Sequence, residues 1–230
     1  MADVMWNNTT YEVPLIADKL VLEEAPAGGY GYQLLKRAMD CIGAGIGLLL
    51  LSPLFAVMAV LIKLESAGPV LFSQTRIGKD GVEFRCWKFR SMFQDAEQRK
   101  QELMQQNEMA GGVTFKMKHD PRVTRVGRFI RKASIDELPQ LWNVFNGDMS
   151  LVGPRPPVPQ EVALYTAHER QRLAVKPGIT CIWQVSGRSD IPFNEQVLLD
   201  IEYIRSQSLW LDISLLLRTI PAVLLARGSY

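Results

Sequence analysis

Hydrophobic positions along this chain fall into one long unbroken block and a series of short periodic segments. Residues 42–62 carry no charge; as a helix they span about 31 Å, the thickness of a bilayer core. The block begins too late for a signal peptide and runs into Lys63 and Glu65 rather than a cleavage site. A buried core helix is the plain alternative, but such helices are usually shorter. In its middle, Leu51-Ser52-Pro53-Leu54 removes one backbone donor and predicts a bend, leaving halves of about 14–15 Å that each reach half-way across the core. A kinked span would place the two ends on opposite sides, a re-entrant hairpin on one. Lys36-Arg37 and Lys63 make both flanks basic, so no asymmetry orients a span, which favours the hairpin. The backbone freed at the bend then needs Ser52 or nearby protein as its partner.

Beyond the block, residues 69–77 and 82–89 are rich in strand formers around the turn Gly78-Lys79-Asp80-Gly81, which predicts a β-hairpin. Residues 94–110 are polar almost all round and end at Gly111-Gly112. A helix that polar packs poorly, and the segment reads as a mobile cover. Helices are expected over 123–132, 135–145, 159–175, 193–206 and 210–226, with a short strand over 180–185. The last helix carries the stripe Trp210, Ile213, Leu217, Ile220 and Leu224, with Asp212 and Thr219 on a narrow polar side. Burial in a core and a place in the lipid headgroup layer both fit that stripe. Residues 1–31, with Pro14, Pro26 and Gly28-Gly29, read as a poorly ordered tail.

Composition narrows the class. Hydrophobic residues make up 47% and charged residues 22%, enough to bury a core and too apolar for global disorder. The net charge of +2 gives no reason to invoke nucleic acid. Cys41, Cys86 and Cys181 are too few and too sparse for a disulfide scaffold, and with only His119 and His168 no zinc spacing exists. A reducing compartment fits.

Common catalytic signatures are absent: no P-loop, dinucleotide fingerprint, nucleophile elbow or zinc-protease helix. Gly43, Gly45 and Gly47 lie inside the apolar block, where small residues mean helix packing. Residues 116–137 hold seven cations (Lys116, Lys118, Arg122, Arg125, Arg128, Arg131, Lys132) against three acids (Asp120, Asp136, Glu137). A solvated face, attraction to anionic lipid and a phosphate site all fit that tract. The acids Asp136 and Glu137 follow in Ala133-Ser134-Ile135-Asp136-Glu137-Leu138-Pro139. Ser134 with Glu137 matches a capping box, although Pro139 then falls beyond the first turn; Asp136 as the cap tolerates Pro139 better. Either way, carboxylates at a helix start beside arginines could seat a metal-bound pyrophosphate against a carboxylate nucleophile. In Gly153-Pro154-Arg155-Pro156 a rigid turn fixes one guanidinium for phosphate, with a surface turn as the alternative. Gln184-Val185-Ser186-Gly187-Arg188 is a weaker turn of the same type. Lys88 and Arg90 share one face of the second hairpin strand, which lines an anionic cleft or is simply wet.

In this order the fragments resemble the bacterial sugar transferases, the monotopic phosphoglycosyl transferases. The resemblance runs from about residue 35 to 230. It is carried by Lys36-Arg37-Ala38-Met39-Asp40, Ser52-Pro53, Lys88-Phe89-Arg90-Ser91-Met92, Asp120-Pro121-Arg122 with Arg125-Val126-Gly127, Ser134-Ile135-Asp136-Glu137-Leu138-Pro139-Gln140, the 147–156 segment, Lys176-Pro177-Gly178 and Trp183-Gln184. It implies an α/β (mostly α) fold: a membrane-anchored compact domain with a re-entrant membrane helix hairpin, a small β-hairpin and interfacial amphipathic helices. The divisions are a tail over 1–31, a membrane helix over 32–65 broken at Ser52-Pro53, and a cytoplasmic catalytic domain over 66–230. Larger members carry extra spanning helices before this core, so a compact member is expected.

The resemblance also implies the reaction. A UDP-sugar, with glucose or galactose expected, gives its sugar 1-phosphate to undecaprenyl phosphate and releases UMP, the first membrane step of exopolysaccharide synthesis. Asp136 matches the nucleophile and Glu137 the residue that helps hold Mg²⁺. Arg131 and Arg155 match phosphate-binding positions, and Lys88, Arg90 and Arg188 fall near the same site. Membrane phospholipids are expected partners, nucleic acid is not, and a homodimer is left open. The expected place is the cytoplasmic face of the bacterial inner membrane. Two rivals stand beside this reading: a non-catalytic membrane-surface scaffold and a nucleotide-sugar hydrolase.

Overall fold

The computed structural model describes residues 29–96, 98–99, 120–187 and 191–224. The tail over 1–28, most of the 94–112 cover and Arg188 lie outside the described residues.

The apolar block lies within one helix, α1 (Tyr30–Glu65). Its inner face buries Ala44, Met58 and Ile62, while Ile42, Ile46, Leu49, Leu50, Val57, Val60 and Leu64 are exposed. Among the described residues it is the one helix long and apolar enough to cross a membrane. α1 runs through Ser52-Pro53 without ending there; a proline inside a helix bends it without terminating it. Ser52 Oγ donates to the Leu49 carbonyl at 2.8 Å, which supplies the bond that the proline cannot make.

Two small sheets follow. β1 (Leu71–Ile77) and β2 (Glu83–Phe89) form the expected antiparallel hairpin, with Ile77 opposite Glu83 and Phe72 opposite Lys88. The connection is residues 78–82, one longer than the four-residue turn expected. β3 (Ser150–Val152) and β4 (Gly178–Thr180) pair in parallel. This pair was not expected, since three-residue strands carry too little periodicity to be read.

The remaining elements are helical. α2 (Arg125–Lys132) begins at Thr124, whose Oγ1 accepts from Gly127 N at 2.8 Å. The helix expected over 135–145 divides into a 3₁₀ turn at Ile135–Glu137 and α3 (Gln140–Asn146). Neither capping reading holds: Ser134 is left-handed (φ 55°) and makes no side-chain cap. Pro139 has no N–H to continue a helix and stands where α3 begins.

The helix expected over 159–175 is likewise interrupted. It becomes α4 (Pro159–Ala163), α5 (Ala167–Arg170) and a 3₁₀ turn at Gln171–Ala174. Thr166 restarts it: its N–H and hydroxyl reach Glu169 Oε2 at 2.6 and 2.8 Å. The strand expected over 180–185 is instead the end of β4 and a short helix, α6 (Ile182–Ser186). α7 (Phe193–Ser206) and α8 (Leu209–Leu224) stand where expected.

α8 is turned inside out relative to a soluble helix. Asp212 is fully buried and takes bonds from Lys36 Nζ (2.9 Å), Tyr32 Oη (2.9 Å) and Tyr203 Oη (2.7 Å). Thr219 meets Thr180 at 2.7 Å. Trp210 is 80% exposed, and Ile213, Leu217 and Ile220 are exposed with it. The polar side faces protein and the apolar stripe faces outward.

The body grips α1 along its length. Arg37 donates to the Val144 and Phe145 carbonyls at the end of α3, at 2.7 and 2.8 Å. Ala44 packs with Leu141, Val144 and Met149, whereas Met58 and Ile62 pack with Phe89 and Ile130. At the far end, Glu65 accepts from the first N–H groups of α2, Arg125 N at 2.7 Å and Val126 N at 2.9 Å. Residues on both sides of Pro53 therefore dock on one body.

Candidate active site

β2 carries Lys88 to the 3₁₀ turn that holds the two acids. Lys88 Nζ lies 2.5 Å from Glu137 Oε1. Asn143 fixes this juxtaposition from behind, because β2 has an open edge. Its Oδ1 accepts from Trp87 N at 3.0 Å and its Nδ2 donates to Arg85 O at 2.7 Å, in place of a third strand. Asn143 belongs to α3, which follows Asp136-Glu137 by a few residues, so the cation and the acids are tied into one unit.

A small open cleft lies beside this pair, lined by Arg76, Cys86, Lys88, Glu137, Gln140, Arg155, Pro156, Gly178, Ile179 and Gln184. Arg155 comes from the Gly-Pro-Arg-Pro turn, which is held by Gly153 N on Thr180 O (2.9 Å) and Gly178 N on Pro154 O (2.9 Å). The arginine itself lies 3.8 Å from Glu161.

The two acids differ in protonation. Burial pushes Asp136 up to about 6; Lys88 and Arg131 oppose that rise and the Glu137 charge adds to it. Burial also opposes the ionisation of Glu137, but the Lys88 ammonium bound to it wins and holds it below the usual range. Asp136 is thus a carboxylate with raised basicity beside one that ionises more readily than usual.

Of the residues singled out in the sequence, Asp136, Glu137, Lys88, Arg131 and Arg155 come together. Arg131 lies in the last turn of α2 and its charge reaches Asp136. Arg128 and Arg125, one and two turns earlier, are exposed. Arg122 is buried in a fork on Asp120, with contacts of 2.7–3.1 Å. Arg90 does not line the cleft. Its guanidinium donates to the Ser66 carbonyl at 2.7 Å, to the Ile62 carbonyl at 3.5 Å and to the Ala67 carbonyl, so it clasps the end of α1. Arg188 lies outside the described residues. Arg76 and Cys86 were missed as cleft residues; they share the Lys88 face of the hairpin, which the strand register alone would have revealed.

The donor set suits a hard dication that also binds substrate. No group of three or more His, Cys, Asp or Glu side chains that could hold a metal is present among the described residues. Asp136 and Glu137 supply carboxylate oxygens, and Mg²⁺ is typically held by one or two carboxylates together with phosphate oxygens and water. The pair therefore fits Mg²⁺ in company with a phosphate, not as a closed cage.

Residues 31–226 match the family described as bacterial sugar transferase. The chain is 49% identical over 201 residues to galactosyl transferase CpsE of Streptococcus agalactiae, covering 87% of this chain and 44% of that protein. It is 42% identical over 208 residues to exopolysaccharide production protein ExoY of Rhizobium meliloti, covering 89% and 90%. To the UDP-galactose-lipid carrier transferase of Erwinia amylovora it is 41% identical over 201 residues, covering 86% and 42%. The chain thus spans under half the length of the first and third and nearly all of the second.

Proposed function

This chain belongs to the bacterial sugar transferase family, and we propose that it moves a sugar 1-phosphate from a UDP-sugar to undecaprenyl phosphate, with UMP as the other product. The observation that carries the reading is Glu137 paired with Lys88 in a cation-lined cleft, with Asp136 next in the chain and within electrostatic reach of Lys88 and Arg131. Glucose or galactose is the expected sugar.

Asp136 is the nucleophile. Its carboxylate oxygen attacks the phosphorus that bears the sugar; the new O–P bond forms as the bridging P–O bond breaks, and UMP leaves with that oxygen. The phosphate oxygen of the lipid then attacks the same phosphorus, and the aspartyl O–P bond breaks to restore Asp136. Lys88, Arg131 and Arg155 neutralise phosphate oxygens as charge shifts among them. Glu137 and Asp136 are the residues that would hold Mg²⁺, which when bound would withdraw charge from the diphosphate. Lys88 holds Glu137 below the usual carboxylate range, which favours its ionised form.

Packing supports a re-entrant membrane arrangement for this chain. α1 dips into one leaflet and returns, with both ends on the cytoplasmic side of the inner membrane. What supports this is that Gly43, Ala44, Met58 and Ile62 all meet one body, which a straight span would have to divide between two compartments. The exposed stripe of α8 and the outer face of α1 supply apolar surface for lipid. A soluble donor and a lipid acceptor can then reach Asp136 from the two sides of the interface.

The test is UMP release by the purified protein with Mg²⁺, UDP-glucose or UDP-galactose, and undecaprenyl phosphate. Lipid-dependent UMP release with a trapped phosphosugar adduct on Asp136 is expected. Steady release without lipid would make the protein a hydrolase, and no release would favour the scaffold.

A further inference from the structure

The cleft holds one charged group that the proposed chemistry does not use. Arg76 on β1 is only 7% exposed, yet it lines the cleft on the same hairpin face as Cys86 and Lys88. Its terminal nitrogens donate to the Pro156 carbonyl at 2.7 Å and to Gln74 Oε1 at 2.8 Å. Its Nε–H is buried without an acceptor. No carboxylate among the described residues lies within ion-pair distance of it. Glu137 is taken by Lys88, and Glu161 faces Arg155.

A buried guanidinium without a counter-ion is unfavourable, and a like charge beside it makes matters worse. Burial first, and then the charge of Arg155, pull Arg76 down to about 10, so it is still a cation at neutral pH. The cleft wall thus carries Arg76, Lys88 and Arg155, with Glu137 on Lys88 and Glu161 on Arg155. The surplus is the single charge of Arg76, which an oxygen of a bound phosphate would meet.

We propose that Arg76 is a further binding cation of this cleft, forming with Lys88 and Arg155 a subsite for a phosphate group. This rests on the transferase reading and deepens it. Two substrates share the chemistry: the phosphate of departing UMP and the phosphate of the lipid acceptor. The same side chain holds the Pro156 carbonyl, so it also sets the turn that presents Arg155.

The experiment measures binding without turnover, on the full chain in detergent, with wild type, Arg76→Gln and Arg76→Lys. The probes are UMP, uridine and geranyl phosphate, titrated by calorimetry at two salt concentrations. One lost charge-assisted bond predicts phosphate affinity about 10–100-fold weaker in Arg76→Gln, with uridine unmoved and a shallower salt dependence. Loss for UMP alone assigns the subsite to the nucleotide, and loss for geranyl phosphate alone assigns it to the lipid.

Equal phosphate affinity in wild type and Arg76→Gln would overturn the proposal, as would wild-type UMP binding no tighter than uridine. If Arg76→Gln does not fold, Arg76→Lys decides. It keeps a charge but not the fork, so its phosphate affinity should fall several-fold, and wild-type affinity in a folded Arg76→Lys protein would sink the idea. Lipid-dependent UMP release by wild type together with an indifferent Arg76 would remove the subsite alone. Phosphate binding through Arg76 without turnover would remove the transferase reading instead.

Discussion

Ser52 Oγ donates to the carbonyl of Leu49 at 2.8 Å, the acceptor that Pro53 leaves without its helical N–H. Both Ser52 and Pro53 are exposed on α1, in the stretch expected to meet lipid, where an unpaired carbonyl has no water to turn to. Serine and proline are therefore one device: the proline frees a carbonyl and the serine occupies it.

A double-mutant cycle tests that coupling. Ser52→Ala should destabilise the protein by about 1–2 kcal/mol, the loss of one hydrogen bond to a carbonyl that lipid cannot satisfy. In a Pro53→Ala background residue 53 has its own N–H, and Ser52→Ala should become nearly neutral. Thermal melts of the four proteins in nanodiscs read the cycle. Equal losses in both backgrounds would show that Ser52 does not serve the carbonyl freed by Pro53.

Asp136 should limit both stability and activity through its protonation. Its native pKa of about 6 lies above the ordinary aspartate value of 3.8, so the folded protein favours the neutral acid. At pH 8 the charged carboxylate is a burden to the native state, and Asp136→Asn should be more stable than wild type by about 1–3 kcal/mol. As pH falls through 6 towards 4 the wild-type acid takes up its proton in the native state, and the gap should close. Turnover should be abolished in Asp136→Asn, and in wild type it should fall as pH drops through about 6. Melts from pH 4 to 8 alongside UMP-release rates check both; a stability gap independent of pH would mean that burial does not tune this carboxylate.

Much of this was legible from residue pattern. The 193–206 and 210–226 helices, the hairpin and the helix leading into the acids follow from periodicity and strand formers. The acids themselves stand out because Asp136 and Glu137 sit among cations. Arg76 did not stand out, for a definable reason. A four-residue turn over 78–81 puts Ile77 opposite Val82 and turns Arg76 away from Lys88. The observed register puts Ile77 opposite Glu83, and a one-residue slip reverses the face of every side chain. Ser134 shows no cap because a capping box needs an extended residue at that position, whereas Ser134 is left-handed between α2 and the 3₁₀ turn. Arg90 shows the same limit: the strand pattern gives its side, while its partners are carbonyls more than 20 residues away.

Gly127 shows how closely α2 must approach the strand that carries Lys88. A Cβ at this position would stand 1.9 Å from the Ser91 carbonyl oxygen, and Thr124 N donates to that same oxygen at 3.1 Å. Backbone cannot yield as a flexible side chain can, so Gly127→Ala should cost at least about 1–3 kcal/mol, the usual range for overpacking. Because Arg131 lies in the last turn of α2 just before the acids, the displacement should also lower UMP release by the folded fraction. Chemical denaturation and turnover together check this; a Gly127→Ala protein of wild-type stability would contradict the close approach.

Arg90 should report on the membrane helix rather than on phosphate. Its guanidinium takes carbonyls from the last turn of α1 and the residues just after it, groups left without donors where the helix ends. Glu65 from the same end of α1 caps α2, so the junction is clasped in both directions. Lysine keeps the charge but has no planar fork to reach several carbonyls at once. Arg90→Lys should therefore lower the melting temperature and loosen amide protection at the end of α1, read by hydrogen exchange. Its effect on the KM for UDP-sugar, measured well below the melting transition, should be smaller than that of Arg155→Lys, whose side chain lines the cleft. A raised KM with unchanged melting and unchanged exchange would instead make Arg90 a phosphate ligand.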